Sequence, residues 1–345
     1  MSSSTSRSFC FDSGCLWKDE MKVTKAKRRN AGNMFVKCSV NTKAQKAEKP
    51  IRIGVLGASG YTGSEIVRLL VNHPHFGISF LTADRKAGQP LSSVFPHLIT
   101  QGLPNLIAVK DADFSGVDAV FCCLPHGTTQ DIIKGLPKHL KIVDLSADFR
   151  LRDISEYEEW YGQPHRAPDL QVRKKLCMDS LRFHEAIKDA RLVANPGCYP
   201  DNSDSLFPLL KGEVLKESNM YAELAEGIYS YGVSRHRHVP EIEQGLSDAA
   251  DSKITISFTR ILCQLSADDE FVVLLEKGIV PRTHDVRGSN YCLMNVFPDR
   301  IPGRAIIISV IDNLLKGASG QAMQNLNLML GLPESTGLLS PALFP

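Results

Sequence analysis

From residue 51 onward, short apolar runs alternate with stretches of helical periodicity. Ile51-Arg52-Ile53-Gly54-Val55-Leu56 is apolar apart from one arginine, and such a run bounded by turn residues predicts a strand buried on both faces. Further strands are predicted at 77–83, 118–124, 141–145 and 191–194. Between residues 64 and 71, Ile66, Val67, Leu69 and Leu70 fall at helical spacing. Strand and helix alternate in this way up to residue 197, which predicts a doubly wound parallel sheet with right-handed crossovers. Past Cys198 the strand-like runs at 254–258, 271–275, 292–297 and 305–311 predict a mixed sheet in a second, α+β domain. The pattern from Leu314 through Leu330 is helical.

The first strand runs directly into Gly57-Ala58-Ser59-Gly60-Tyr61-Thr62-Gly63, and the first helix follows it. Strand, glycine turn and helix form the setting of a dinucleotide-binding fingerprint. Gly57 would make the tight turn, Gly60 would let backbone amides approach a pyrophosphate, and Gly63 would allow close helix–strand packing. The spacing G-x-x-G-x-x-G has one residue more in its first gap than the usual form. The second strand ends in Thr82-Ala83-Asp84-Arg85-Lys86. An acidic residue there would bind a free ribose 2′-hydroxyl, whereas basic residues accommodate a 2′-phosphate. Arg85 and Lys86 favour NADP, with Asp84 reading the other way.

Ala194-Asn195-Pro196-Gly197-Cys198-Tyr199-Pro200 sets one cysteine on a turn between a short strand and a helix-like segment, Ser203 to Leu210. A cysteine is a strong nucleophile as thiolate, and a helix N-terminus with a basic partner lowers its pKa. A small buried hydrophobe after a turn is the plainer reading. Asp201 opposes thiolate formation unless it points away, or else caps the helix. His236-Arg237-His238-Val239-Pro240-Glu241-Ile242 places two histidines on one side of an extended segment. Histidine is the usual general acid/base near neutral pH, and Arg235 and Arg237 would attract an anionic substrate. A solvated basic loop is the alternative. No Cys-x-x-Cys or carboxylate triad stands nearby to complete a metal site, so no metal is expected.

In this order the glycine turn, the cysteine turn and the histidine segment resemble the N-acetyl-gamma-glutamyl-phosphate reductases. The resemblance continues through Leu124-Pro125-His126-Gly127, Asp144-Leu145-Ser146-Ala147-Asp148-Phe149-Arg150, Gly288-Ser289-Asn290-Tyr291-Cys292 and the segment from Asp312 to Asn325. It covers most of residues 51–340. It implies a Rossmann-type cofactor domain at 50–197, completed by the C-terminal helix 313–345, and a substrate and catalytic domain at 198–312. It also implies that Cys198 attacks an acyl phosphate, forming a thioester that NADPH reduces. His236 or His238 would serve as acid/base. Pro125 and Asn313 would touch cofactor, while Ser146, Arg150, Arg235, Arg237 and Glu241 would bind substrate. For Arg150, an ion pair with Asp148 that holds a loop is an equal alternative. The expected assembly is a homo-oligomer acting on a small molecule.

Three regions depart from the family pattern. Between Lys216 and Tyr221 the chain lacks a strand and a glycine-rich loop; Arg260 to Glu270 stands where the family has a loop, a strand and a helix; Lys174 to Glu185 also diverges. These departures keep two further readings in play, a non-catalytic NADP-binding paralogue and a reductase of another acyl phosphate such as aspartyl phosphate.

Composition adds a location. The 345 residues are 43% hydrophobic, enough for a sizeable core. The net charge of +2 hides an asymmetry: residues 1–50 carry +7 and the remainder −5. The cationic, serine-rich first 49 residues lack the apolar stretch of a secretory signal and predict a transit peptide. With this family the chloroplast is the expected destination and the mitochondrion the alternative. Without aromatic interleaving the basic leader does not predict nucleic-acid binding, and no apolar segment is long enough to predict a membrane span. The nine cysteines are scattered and odd in number, which fits a reducing compartment rather than a disulfide framework.

Overall fold

The computed structural model describes residues 49–172, 185–198, 240–241, 243–244, 247, 253, 270–298, 300 and 305–343. The expectations for the leader, for the helix from Ser203, for the histidine segment through residue 239 and for a strand at 254–258 lie outside the described residues.

Six parallel strands form the main sheet: β1 (Ile51–Leu56), β2 (Phe76–Thr82), β3 (Leu106–Ile107), β4 (Ala119–Cys122), β5 (Lys141–Asp144) and β6 (Leu192–Ala194). Their order is β3-β2-β1-β4-β5-β6. The order reverses between β1 and β4, and open sheets of this kind take their ligands in the crevice at such a switch point. The strands read as nearly continuous apolar runs because both faces are covered. Ile53, Val55, Phe121, Val143 and Val193 share one core with Ile66, Val67 and Leu70 of helix α1 (Tyr61–Asn72). Leu56, Val120, Cys122, Ile142 and Leu192 share the other with Ile133 of helix α2 (Thr129–Gly135) and with Phe149.

Two short helices follow β5, α3 (Ile154–Tyr161) and α4 (Pro168–Val172). Asp153 caps α3 by accepting from the Ser155 amide at 2.8 Å. The second sheet is mixed, as the pattern predicted: β7 (Val272–Leu274) runs parallel to β8 (Cys292–Pro298), and β9 (Ala305–Ile311) runs antiparallel to it. The C-terminal helical pattern resolves into a π turn, Leu315–Ser319, and helix α5 (Gly320–Met329). Ala322, Met323 and Leu326 of α5 belong to the same core as β1 and α1, so the C-terminal helix packs on the parallel sheet. Among the described residues no helix is long and apolar enough to cross a membrane.

Candidate active site

The turn after β1 is built by missing side chains. Gly57 has φ +83°, and a Cβ there would collide with the Cys123 carbonyl at the end of β4; a Cβ on Gly63 would strike the Gly57 carbonyl. Gly60 differs. Its backbone is extended at φ −87°, and a Cβ would sit an ordinary 3.6 Å from the Gly57 oxygen. Among the described residues nothing excludes a side chain at Gly60, which is exposed. No side chain caps α1. Among the described residues the amides of Ser59, Tyr61, Thr62 and Gly63 have no acceptor. Unpaired amides at the positive end of a helix dipole form an anion cradle. These residues therefore fit a dinucleotide pyrophosphate.

At the end of β2, one oxygen of Asp84 is taken up by the fold. Its carboxylate accepts from the Val109 amide at 2.8 Å, while Arg85 and Lys86 are exposed.

Beyond β4 and β5 lies a buried polar network. Gly127, at φ +80°, donates its amide to both oxygens of Asp148 at 2.7 and 2.9 Å. The Tyr157 hydroxyl donates to Asp148 Oδ1 at 2.8 Å, and accepts from Gln130 Nε2 and Gln163 Nε2. His165 Nε2 donates to the Asp148 carbonyl at 2.8 Å. Burial first, then the Asp148 carboxylate, push the Tyr157 phenol above its ordinary value, so it stays a donor. Ser146 Oγ donates to Asp144 Oδ2 at 2.8 Å and accepts from the Asp148 amide at 3.1 Å. Ser146 is thus enclosed within the loop, while Pro125 and His126 on the facing loop are exposed. The His126 ring accepts the Ala147 amide on Nδ1 at 2.9 Å, which leaves its proton on Nε2. Burial raises the thiols of Cys122 and Cys123, which are core residues rather than nucleophiles.

The turn after β6 is built the opposite way, by side chains. The Asn195 amide donates to the Asp144 carbonyl at 2.7 Å, carrying the pairing of β5 and β6 one residue further. Arg150 Nε donates to the Asn195 carbonyl at 2.9 Å and Nη2 to the Leu145 carbonyl at 3.0 Å. Its Nη1 lies 3.6 Å from Glu241 Oε2. Glu241 Oε1 in turn accepts the Gly197 amide at 2.9 Å. Both charges are buried, and each is met by the other and by backbone, the condition under which a buried ion pair is tolerated. Asn195 Nδ2 donates to the Ala318 carbonyl at 3.3 Å, and Asn325 Nδ2 donates to Asn195 Oδ1 at 3.1 Å.

Half-buried Cys198 follows this clamped turn. A Cβ on Gly317 would stand 2.7 Å from Cys198 Cβ and 3.3 Å from Asn313 Oδ1, so cysteine and asparagine meet at that glycine. The structure thus brings together Cys198, Asn313, Arg150 and Glu241. Arg235, His236, Arg237 and His238 lie outside the described residues; Glu241, just beyond them, is fastened to the residue before the cysteine. Sequence reasoning did not single out Asn195, Gly317 or Asn325. The signal available was two asparagines in motifs already noted.

Comparisons with known proteins identify the family. A family model described as "Semialdehyde dehydrogenase, NAD binding domain" matches residues 52–194. A second, "Semialdehyde dehydrogenase, dimerisation domain", matches in two overlapping segments, 211–267 and 261–313. A probable chloroplastic N-acetyl-gamma-glutamyl-phosphate reductase of Arabidopsis thaliana is 57% identical over an alignment of 402 positions covering 99% of this chain and all of the relative. Its counterpart from Oryza sativa subsp. japonica is 59% identical over 89% of this chain and 86% of the relative. Among solved structures, aspartate semialdehyde dehydrogenase II from Vibrio cholerae superposes with a TM-score of 0.52 at 14% identity, over 82% of this chain and 99% of that one, a likeness of fold. The chain belongs to the semialdehyde dehydrogenases and, within them, to the N-acetyl-gamma-glutamyl-phosphate reductases.

Proposed function

We propose that this chain reduces N-acetyl-gamma-glutamyl phosphate to N-acetylglutamate semialdehyde, a step of arginine biosynthesis, with Cys198 as the nucleophile. The observation that carries the proposal is the clamped turn that presents Cys198 beside Asn313. The cysteine sulfur attacks the acyl carbonyl carbon, the bond from that carbon to the phosphate oxygen breaks, and phosphate leaves a thioester on Cys198. Residues 57–63 would hold the pyrophosphate of NADPH and Arg85 and Lys86 its 2′-phosphate, and the bound cofactor would supply the hydride for that carbon. Collapse of the resulting thiohemiacetal returns the thiol and frees the aldehyde. His236 or His238 moves the proton.

In this reading Ser146, Arg150 and Glu241 act as braces of the site rather than as substrate contacts. Arg150 neutralises Glu241, so the carboxylate one residue from the nucleophile's amide does not oppose a thiolate. Arg235 and Arg237 are left to meet the anionic substrate. The three-stranded sheet exposes Leu274 and Val296 on one face, within the part matched by the dimerisation model, and a second copy of the chain covers that face. Because the plant relatives carry "chloroplastic" in their names, residues 1–49 direct this chain to the same organelle.

One observation favours a second reading, an NADP-binding chain that does not turn over. The Arabidopsis alignment is longer than this chain, and the dimerisation model matches in two pieces that meet at 261–267. The Arabidopsis relative therefore carries stretches that have no counterpart here. The test is NADP-dependent oxidation of the semialdehyde in phosphate, parent beside Cys198→Ala, with aspartate semialdehyde as the comparison substrate. Activity that vanishes in the variant supports the reductase. A folded parent that binds NADP yet is inert supports the second reading.

A further inference from the structure

We propose that Gly317 is the seat of Cys198, a positioning residue whose lack of a side chain allows the nucleophile to stand where it does. The proposal rests on Cys198 being the nucleophile. A Cβ at position 317 would lie 2.7 Å from Cys198 Cβ, whereas carbon atoms in contact prefer about 3.5–4.0 Å. The same methyl would also press on Asn313 Oδ1 and Ile311 Cδ1, each 3.3 Å away. The φ of Gly317 is not left-handed, so the glycine is required by space alone.

Neither partner is at liberty to yield. On the cysteine side, the turn is bound through Asn195 to the Ala318 carbonyl, one residue past the seat, and to Asn325 of α5. Arg150 and Glu241 hold it from the other side. On the seat side, the Gly317 amide donates to the Asp312 carbonyl at 3.0 Å, the long bond of a π turn. The Asp312 carboxylate accepts from Leu314 at 2.8 Å, Leu315 at 3.0 Å and Gly288 at 2.7 Å. Ser319 Oγ donates to the Thr62 carbonyl at 3.0 Å, tying the turn to α1. A methyl between two fixed backbones displaces the thiol that stands there. The π turn is the device that points Gly317 at the cysteine.

The experiment compares the parent, Gly317→Ala, Cys198→Ala, Cys198→Gly and the double variant Cys198→Gly/Gly317→Ala. Misplacing a reacting atom by about 1 Å costs on the order of a hundredfold. Gly317→Ala is therefore expected to lose about that factor in kcat, with KM for the acyl phosphate nearly unchanged. The rate and pH profile of Cys198 alkylation by iodoacetamide shift with it. Cys198→Gly removes the nearest of the colliding carbons, so the fall in melting temperature caused by Gly317→Ala shrinks in that background. If Gly317→Ala alone does not fold, the double variant does.

Parental turnover and alkylation in Gly317→Ala, with Cys198→Ala inert, would overturn the seat while leaving the nucleophile reading intact. Equal melting losses in both backgrounds, or a double variant that still does not fold, would overturn it too. Parental activity in Cys198→Ala would remove the reading on which the seat rests.

Discussion

Two turns of one parallel sheet are made by opposite means. After β1, the Gly57–Gly63 turn is shaped by absent side chains, and four of its amides keep no acceptor among the described residues. After β6, the Asn195–Cys198 turn is held by side chains from distant parts of the chain, Arg150, Glu241 and Asn325. The first turn has donors to offer an incoming anion. In the second, the Asn195 amide, carbonyl and side chain and the Gly197 amide are all taken up, and the turn offers one sulfur. A phosphate cradle needs unsatisfied backbone, whereas a nucleophile needs fixed position.

That contrast is broken most severely at Glu241. Glu241→Ala leaves the Arg150 guanidinium without its buried counter-charge and the Gly197 amide without an acceptor. Such a loss costs about 3–5 kcal/mol, read as a lower urea midpoint together with lost turnover. Gly57→Ala comes next. Strain at positive φ costs about 1–2 kcal/mol, and the collision with the Cys123 carbonyl adds to it. NADP binding, measured by fluorescence quenching, is lost while Cys198 alkylation in the folded fraction stays parental.

Arg85→Ala/Lys86→Ala sharpens the contrast without disturbing either turn. It is expected to lower the preference for NADP over NAD about tenfold, roughly 1.4 kcal/mol, in paired binding titrations. The smallest effect on the fold is at Gly60, where a methyl has room. Gly60→Ala leaves stability within about 0.5 kcal/mol yet weakens NADP binding. A tight-binding Gly60→Ala would show that no pyrophosphate passes over that residue.

The cofactor half was the more legible in sequence, for a physical reason. Strands covered on both faces must be continuously apolar, and β1 begins and ends where its apolar run does. The glycine turn depends on neighbours close in sequence. The predicted strand at 118–124 shortens to β4 because the chain leaves the sheet at Cys123 to form the Gly127 loop. The segment Ile154–Tyr161 forms a helix whose Tyr157 is buried against Asp148. Its three glutamates and neighbouring aromatics conceal one inward-facing ring. Asp84 reads against a 2′-phosphate in sequence, and the structure engages one of its oxygens with the Val109 amide.

The cysteine side was less legible because its partners are remote. Cys198 was visible from its motif. The braces meet across 45 residues from Arg150 to Asn195 and 130 from Asn195 to Asn325, and no local pattern encodes such pairings. Ser146 was implied by the family resemblance alone; that its hydroxyl bonds Asp144 and the Asp148 amide could not be read from the sequence.

The central claim is that the clamped turn delivers a working nucleophile. The most direct measurement is acylation without reductant: the folded protein is mixed with N-acetyl-gamma-glutamyl phosphate, phosphate release is followed, and the protein is weighed intact and after digestion. The account predicts one phosphate released and one N-acetylglutamyl group gained per chain, on the peptide that contains Cys198. Phosphate release with the acyl group on another residue, or no acylation in a protein that still binds NADP, would contradict it.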